Sequence, residues 1–148
     1  MAPDEFLNPS DDEIRAILSR PTTVAVIGCS DKPARDSLMI AKLLHDKGFR
    51  VIPVNPALPP DALTGVLGER AYPDLLSIPE PVEIADVFRQ PEHLPAIVEQ
   101  AIRKPVRVLW CQLGVVNLAA ARSAQAAGIK VVMDRCPAIE YRRLFRRP

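Results

Sequence analysis

The chain has 148 residues, enough for one domain with its own core. Its 48% hydrophobic and 25% charged content is that of an ordinary globular protein. With 19 basic against 18 acidic residues the formal charge is +1, so a global basic field for nucleic acid is excluded. No apolar run approaches the roughly 20 residues of a membrane span. The start, "MAPDEFLNPSDDE", is acidic and lacks the blocks of a signal peptide. Three cysteines without paired spacing argue against a disulfide framework and suit a reducing cytoplasm.

In chain order, "PSDDEIRAILSR" predicts a helix, with Ser10 and Glu13 at capping-box spacing and Ile14, Ile17 and Leu18 on one face. "TTVAVIG" reads as a strand buried on both faces. "SLMIAKLLHDKG" follows as a helix with Ile40, Leu43 and Leu44 inward and Gly48 as terminator. "FRVIPVNP" is the second strand, with pairing expected to fade at Pro53 for want of a donor. Residues 57–82 predict a loop with one helical turn at Leu75–Ile78. "EIADVF" is the third strand. "PEHLPAIVEQAIRK" is a helix regular from about His93, with Leu94, Ile97, Val98 and Ala101 on one stripe. "PVRVLWCQLG" is the fourth strand, Asn117 caps "LAAARSAQAAG", "IKVVMDRC" is the fifth strand, and "PAIEYRRLF" closes the chain as a helix or turn. The 16 prolines are scattered, so they stiffen loops rather than mark a disordered linker. The basic tail "YRRLFRRP" reads as a solvated helix end.

Strands alternating with helices over short connections predict one α/β domain over 1–148, with a core of about 10–147. The expected architecture is Rossmann-like and doubly wound, a mainly parallel five-stranded sheet in order 3-2-1-4-5 with helices on both faces. A ligand then belongs beyond the strand ends where the order reverses, between strands 1 and 4, over "GCSDKPARDS" and "CQLGVV". Gly28 allows a sharp turn, and the amides after it are expected to face an anion. The following helix start, the cations Lys32 and Arg35, and the hydroxyls of Ser30 and Ser37 add to a site for phosphate or pyrophosphate. The dinucleotide fingerprint G-x-G-x-x-G is missing, as are a Walker lysine motif and an acid at the end of strand 2, where "VNP" stands. The residues alone therefore give a nucleotide-binding α/β domain.

Five stretches in register, "VAVIGCSDKPARDS", "GFRVIPVNP", "DVFRQPE", "WCQLGV" and "VVMDRCPAIE", resemble a known family. It is that of the small stand-alone CoA-binding proteins of the YccU type, which look like the CoA-binding domain of the succinyl-CoA synthetase α subunit. The resemblance spans roughly residues 10–147 and implies a domain that binds coenzyme A or an acyl-CoA, chiefly by its nucleotide half. Carried across by position, Gly28, Cys29 and Ser30 lie beside the phosphates, with Lys32, Arg35 and Ser37 closing the loop. Val54 and Asn55 approach the adenosine, Phe88 and Arg89 flank the ligand, and Gln112, Leu113 and Gly114 lie near the pantetheine path. The chain departs at Cys29, where members often have serine or alanine, and at Leu38, where they often have an aromatic residue. Independently, coenzyme A has a 3′-phosphate, so an acid at the end of strand 2 would repel it, and none is present.

No catalytic constellation stands out, and no metal ligands are assigned. The synthetase relatives use a phosphorylated histidine in a further domain for which this sequence shows no counterpart. His45 reads as a surface or packed residue and His93 as local structure at a helix start. Asp134 and Glu140 lie near the rim, Asp134 as a loop fixer. Trp110 reads as core, and Phe88 as core or as a cover for adenine. Cys29, Cys111 and Cys136 each follow an apolar strand, and in the expected order those strands are adjacent. The thiols are then small packing residues or, gathered at one rim with pKa values lowered by helix starts and arginines, a redox or metal site. The expected function is a non-catalytic cytoplasmic CoA-binding module, with no nucleic-acid or membrane partner. The alternatives are a nucleotide-dependent enzyme or thiol redox sensor, and an interaction protein whose unidentified protein partner depends on the bound nucleotide.

Overall fold

A computed structural model describes residues 6–145. Residues 1–5 of the acidic start and 146–148 of the basic tail lie outside the described residues. Five strands, β1 (Thr23–Ile27), β2 (Arg50–Val54), β3 (Ile84–Val87), β4 (Val108–Cys111) and β5 (Lys130–Val132), form one parallel sheet. Six helices surround it: α1 (Asp11–Ser19), α2 (Asp36–Asp46), α3 (Thr64–Leu67), α4 (Leu94–Arg103), α5 (Leu118–Ala126) and α6 (Pro137–Leu144). Short 3₁₀ turns at Leu75–Ser77 and Pro91–His93 complete the elements of the described residues. The turn near Leu75 was legible in sequence; α3 was not, because four residues carry too little periodicity.

The fold class is as expected, but the strand order is β2-β1-β3-β4-β5, not 3-2-1-4-5. β3 does not continue outward past β2. The chain returns across β1 and pairs with its far side, Val24 against Ile84 through Ile27 against Val87. Two features explain this. The β2–β3 connection holds only α3 and a single 3₁₀ turn, so it supplies no long crossover helix to cover a strand beyond β2. β3 is also buried at every position, which suits the middle of a sheet.

Alternation along the strands divides the core. Ala25, Ile52, Val87, Leu109 and Val131 face α4 and α5. Val24, Val26, Val51, Trp110 and Val132 face α1, α2 and α6. The helix caps follow the sequence. Ser10 Oγ accepts the Glu13 amide at 3.2 Å, and Asn117 Oδ1 accepts the Ala120 amide at 3.1 Å. Glu13 does not close the capping box; its carboxylate reaches Lys130 at 3.1 Å.

Pairing does not fade at Pro53, which stays in register with Val26. The Pro53 carbonyl accepts the Tyr72 amide at 3.0 Å, so this residue points its backbone groups away from β1 and its missing N–H costs no ladder bond. Tyr72 in turn bridges Val54 along the outer edge. At the opposite edge the Asn8 side chain does the same for Met133, accepting its amide at 2.7 Å and donating to its carbonyl at 2.9 Å.

Candidate functional site

The order β2-β1-β3 moves the reversal point from between strands 1 and 4 to between β1 and β3. The loops that meet there are Gly28–Arg35 and the segment after Val87, not "CQLGVV". Gly28 turns at φ +86°, and a Cβ at this position would stand 2.6 Å from the Phe88 carbonyl oxygen and 3.1 Å from Arg89 Cδ. Only glycine lets the two loops approach so closely.

An open cavity of about 570 Å³ lies over this junction, lined by Gly28, Ser30, Lys32, Arg35, Ser37 and Phe88, with Ala34 and Asp36. Six residues singled out from sequence thus line one cavity. Other hollows exist: about 820 Å³ between α2 and α6, and about 580 Å³ at the N-terminal edge of the sheet. Neither lies at the carboxyl ends of the strands, where this architecture presents its loops.

The loop amides are not arranged as expected. The Gly28 and Cys29 amides both reach the Val54 carbonyl, at 2.8 and 3.3 Å. The Ser30 amide donates to Ser37 Oγ at 2.9 Å, and the Lys32 amide to Ser30 Oγ at 3.0 Å. These groups hold the loop's shape instead of pointing at an anion. A further donor is the start of α2, whose N-cap, Arg35, supplies no side-chain acceptor to the first turn. An eleven-residue helix with an uncapped positive end and two exposed cations beside it favours an anion. Asp31 and Asp36 offset part of that charge.

Val54 and Asn55 act from below. The Val54 side chain is buried and its carbonyl is the acceptor for the turn. Asn55 Nδ2 donates to the Cys29 carbonyl at 3.0 Å, while its Oδ1 accepts the Ala57 amide at 2.9 Å. Asn55→Ala is therefore expected to loosen the Gly28–Ser30 turn and lower stability by about 1 kcal/mol, read as a shift in urea midpoint. Gln112, Leu113 and Gly114 do not line this cavity. The Gln112 side chain is turned inward and donates to Asp86 Oδ1 at 2.6 Å. Leu113 is exposed, and the Gly114 amide donates to Asp134 Oδ1 at 2.8 Å, so Asp134 ties two rim loops together. Glu140 is buried and bound to Arg143 at 2.9 Å, a structural use of its charge. Trp110 is core, its Nε1 donating to the Arg135 carbonyl at 2.9 Å.

The thiols do not gather at one rim. Cys29 packs on the α1, α2 and α6 side and Cys111 on the α4 and α5 side, with β3 between their strands. Both are fully buried, and burial pushes each thiol up to about 12, helped by the nearby Asp86 charge. Helix starts do not lower them. Only Cys136 is partly exposed. Among the described residues no group of three His, Cys, Asp or Glu side chains is placed to hold a metal ion. Asp86 itself was not singled out from sequence; the visible signal was a single acid inside the apolar run "IADVF".

The comparisons with known proteins decide the family. The profile of the CoA binding domain matches residues 22–142. The chain belongs to this CoA-binding domain family. The uncharacterized protein YneT of Bacillus subtilis is 40% identical over 129 residues, covering 87% of this chain and 92% of that protein. A hypothetical protein from Pyrococcus horikoshii has a solved structure 38% identical, with TM-score 0.85, covering 95% of this chain and 98% of that one. An ADP-forming acetate–CoA ligase of Archaeoglobus fulgidus is 35% identical over 86 residues, which are 58% of this chain but only 12% of the ligase. This CoA-binding domain is thus like a small part of a much larger ligase. Among the described residues no helix is long and apolar enough to cross a membrane.

Proposed function

We propose that this CoA-binding domain holds coenzyme A or an acyl-CoA in the cavity over the β1–β3 junction, in the cytoplasm and without chemistry of its own. The observation that carries this reading is the placement of Lys32, Arg35, Ser30 and Ser37 around the uncapped start of α2, with Phe88 lining the same cavity. The phosphates lie at the helix start and the two cations, and Phe88 covers the adenine. Asn55 at the end of β2 brings no carboxylate near the phosphorylated ribose. Leu113, exposed beyond β4, borders the path of the pantetheine arm.

Calorimetry with CoA, acetyl-CoA, NAD and NADPH tests the ligand. CoA or acetyl-CoA should bind most tightly, and Arg35→Ala should weaken binding about tenfold, the value of one partly solvated charged hydrogen bond. A tighter fit for NADPH would reject the assignment.

The rim-thiol alternative meets the burial of Cys29 and Cys111. At mildly alkaline pH a disulfide reagent should label Cys136 readily and the other two only on unfolding. Cys29→Ser should change CoA affinity by less than about threefold, under 0.7 kcal/mol. Fast labelling of Cys29 in the folded protein, suppressed by CoA, would restore the redox reading.

A further inference from the structure

Asp86 is an acid in a place otherwise built for apolar side chains. It lies on the middle strand, in register with Val26 and Trp110, and is 1% exposed. One carboxyl oxygen accepts the Gln112 amide at 2.6 Å; the other, Oδ2, is buried with no hydrogen-bond partner. A cavity of about 10 Å³ adjoins it, where α1, α2 and α6 present Ile17, Leu18, Leu44 and Pro137, none of them charged. The titratable groups that feel its charge are the thiols of Cys29 and Cys111. The Cys29 thiol belongs to the turn that shapes the ligand cavity, next in sequence to both Gly28 and Ser30. Asp86 is thus level with Val26, two residues short of Gly28 on β1, with its charge felt by Cys29 in the turn, and through Gln112 it touches the β4 rim as well.

We propose that Asp86 is a positioning residue that works as a neutral acid in the strand layer next to the Gly28–Ser30 turn, and that binding of a phosphorylated ligand at the start of α2 takes up a proton on it. This inference rests on the ligand reading above. A carboxylate in this position would be desolvated, with one amide donor for two oxygens. Burial accordingly raises Asp86 to about 7, with the Gln112 amide pulling the other way. An anion bound at the α2 start adds like charge on the same side of the sheet and favours the protonated form further. The proton comes from solvent and returns to it on release. By reciprocity, ionising Asp86 weakens the ligand, so affinity falls as pH rises through about 7. In the free protein the sign is set by the raised value. The bound proton's contribution is complete below the ordinary carboxyl value near 4 and is lost as pH rises to about 7.

The test is calorimetry of CoA binding between about pH 5.5 and about pH 8.5 for the parent and Asp86→Asn, in two buffers of different ionisation heat. The asparagine keeps the shape and the Gln112 contact but cannot ionise. Ionisation of the CoA phosphates is common to both proteins and cancels in their ratio. The parent's affinity relative to the variant should fall across this window, about tenfold if the ligand moves the acid by one pH unit. Proton uptake should be larger in the parent. Carboxyl carbon-13 NMR of the parent reads the same event without a variant, the Asp86 titration moving upward when CoA is added. Parallel pH profiles, or an Asp86 titration that CoA leaves in place, overturn the coupling while the ligand stands. Absence of CoA binding in the parent at every pH overturns the ligand assignment and the coupling with it.

Discussion

Gly28→Ala is expected to lower the urea midpoint sharply and to reduce CoA affinity at least a hundredfold, by about 2.7 kcal/mol. The backbone at this residue has φ +86°, a region that costs a side chain about 1–3 kcal/mol. The added methyl would also meet the Phe88 carbonyl oxygen at 2.6 Å. That oxygen cannot retreat cheaply, because the Phe88 amide is bonded to Ile27 at 2.8 Å and the Gly28 amide to Val54 at 2.8 Å. Relief requires the β1 and β3 loops to part, which opens the junction on which the cavity is built. Gly65→Ala is the control: nothing lies within 4 Å of its Cβ position, and it sits in α3, so it should be neutral or stabilising by about 0.5–1 kcal/mol. If both alanine variants unfold at the parent's midpoint, the close approach of the two loops is not a constraint.

Trp110→Ala should cost about 3–5 kcal/mol, the range for emptying a large aromatic site. The indole is 2% exposed on β4 and packs towards α1, α2 and α6. Its removal also leaves the Arg135 carbonyl without its 2.9 Å donor, at the start of the segment that leads into α6. Trp110→Phe separates the contributions: it restores most of the volume and should lose only about 1–2 kcal/mol. Far-ultraviolet circular dichroism in urea reads both, since the variants lack the only tryptophan. A loss in Trp110→Ala below that of Trp110→Phe would contradict its role as a packed core residue.

The strands and long helices were legible because their periodicities are strong and their caps local. Ser10, Asn117 and the Leu94–Ala101 stripe each fix structure within one or two turns. The strand order was not legible, because the same alternation of elements serves more than one order and a pairing is a long-range fact. Its clue was negative, the lack of an amphipathic helix between β2 and β3. The glycine and cations of the loop after Gly28 do line one cavity, yet its amides are turned elsewhere than the sequence suggests. Whether an amide faces a ligand or a neighbouring hydroxyl depends on Ser37 and Val54, which the fold brings in from other elements. The gathering of the thiols at one rim failed for the same reason, while the reading of Cys29 and Cys111 as small packing residues agrees with their burial. Adjacent positions on a strand point to opposite faces, so a shared location at strand ends did not put Cys29 and Cys111 in one place. Asp86 was overlooked because one acid in a strand carries no pattern of its own.

Both margins of the sheet are closed by the chain's own residues at their carboxyl-side ends, Tyr72 against β2 and Asn8 against Met133 just past β5. Open strand margins are where one molecule can template the next into fibrils. Here the hydrogen-bonding groups that would recruit a foreign strand at the carboxyl-side rim are already occupied, while Pro53 has no donor to offer outward. At high concentration this protein should resist fibre growth through its sheet, and any self-association is left to the helical flanks.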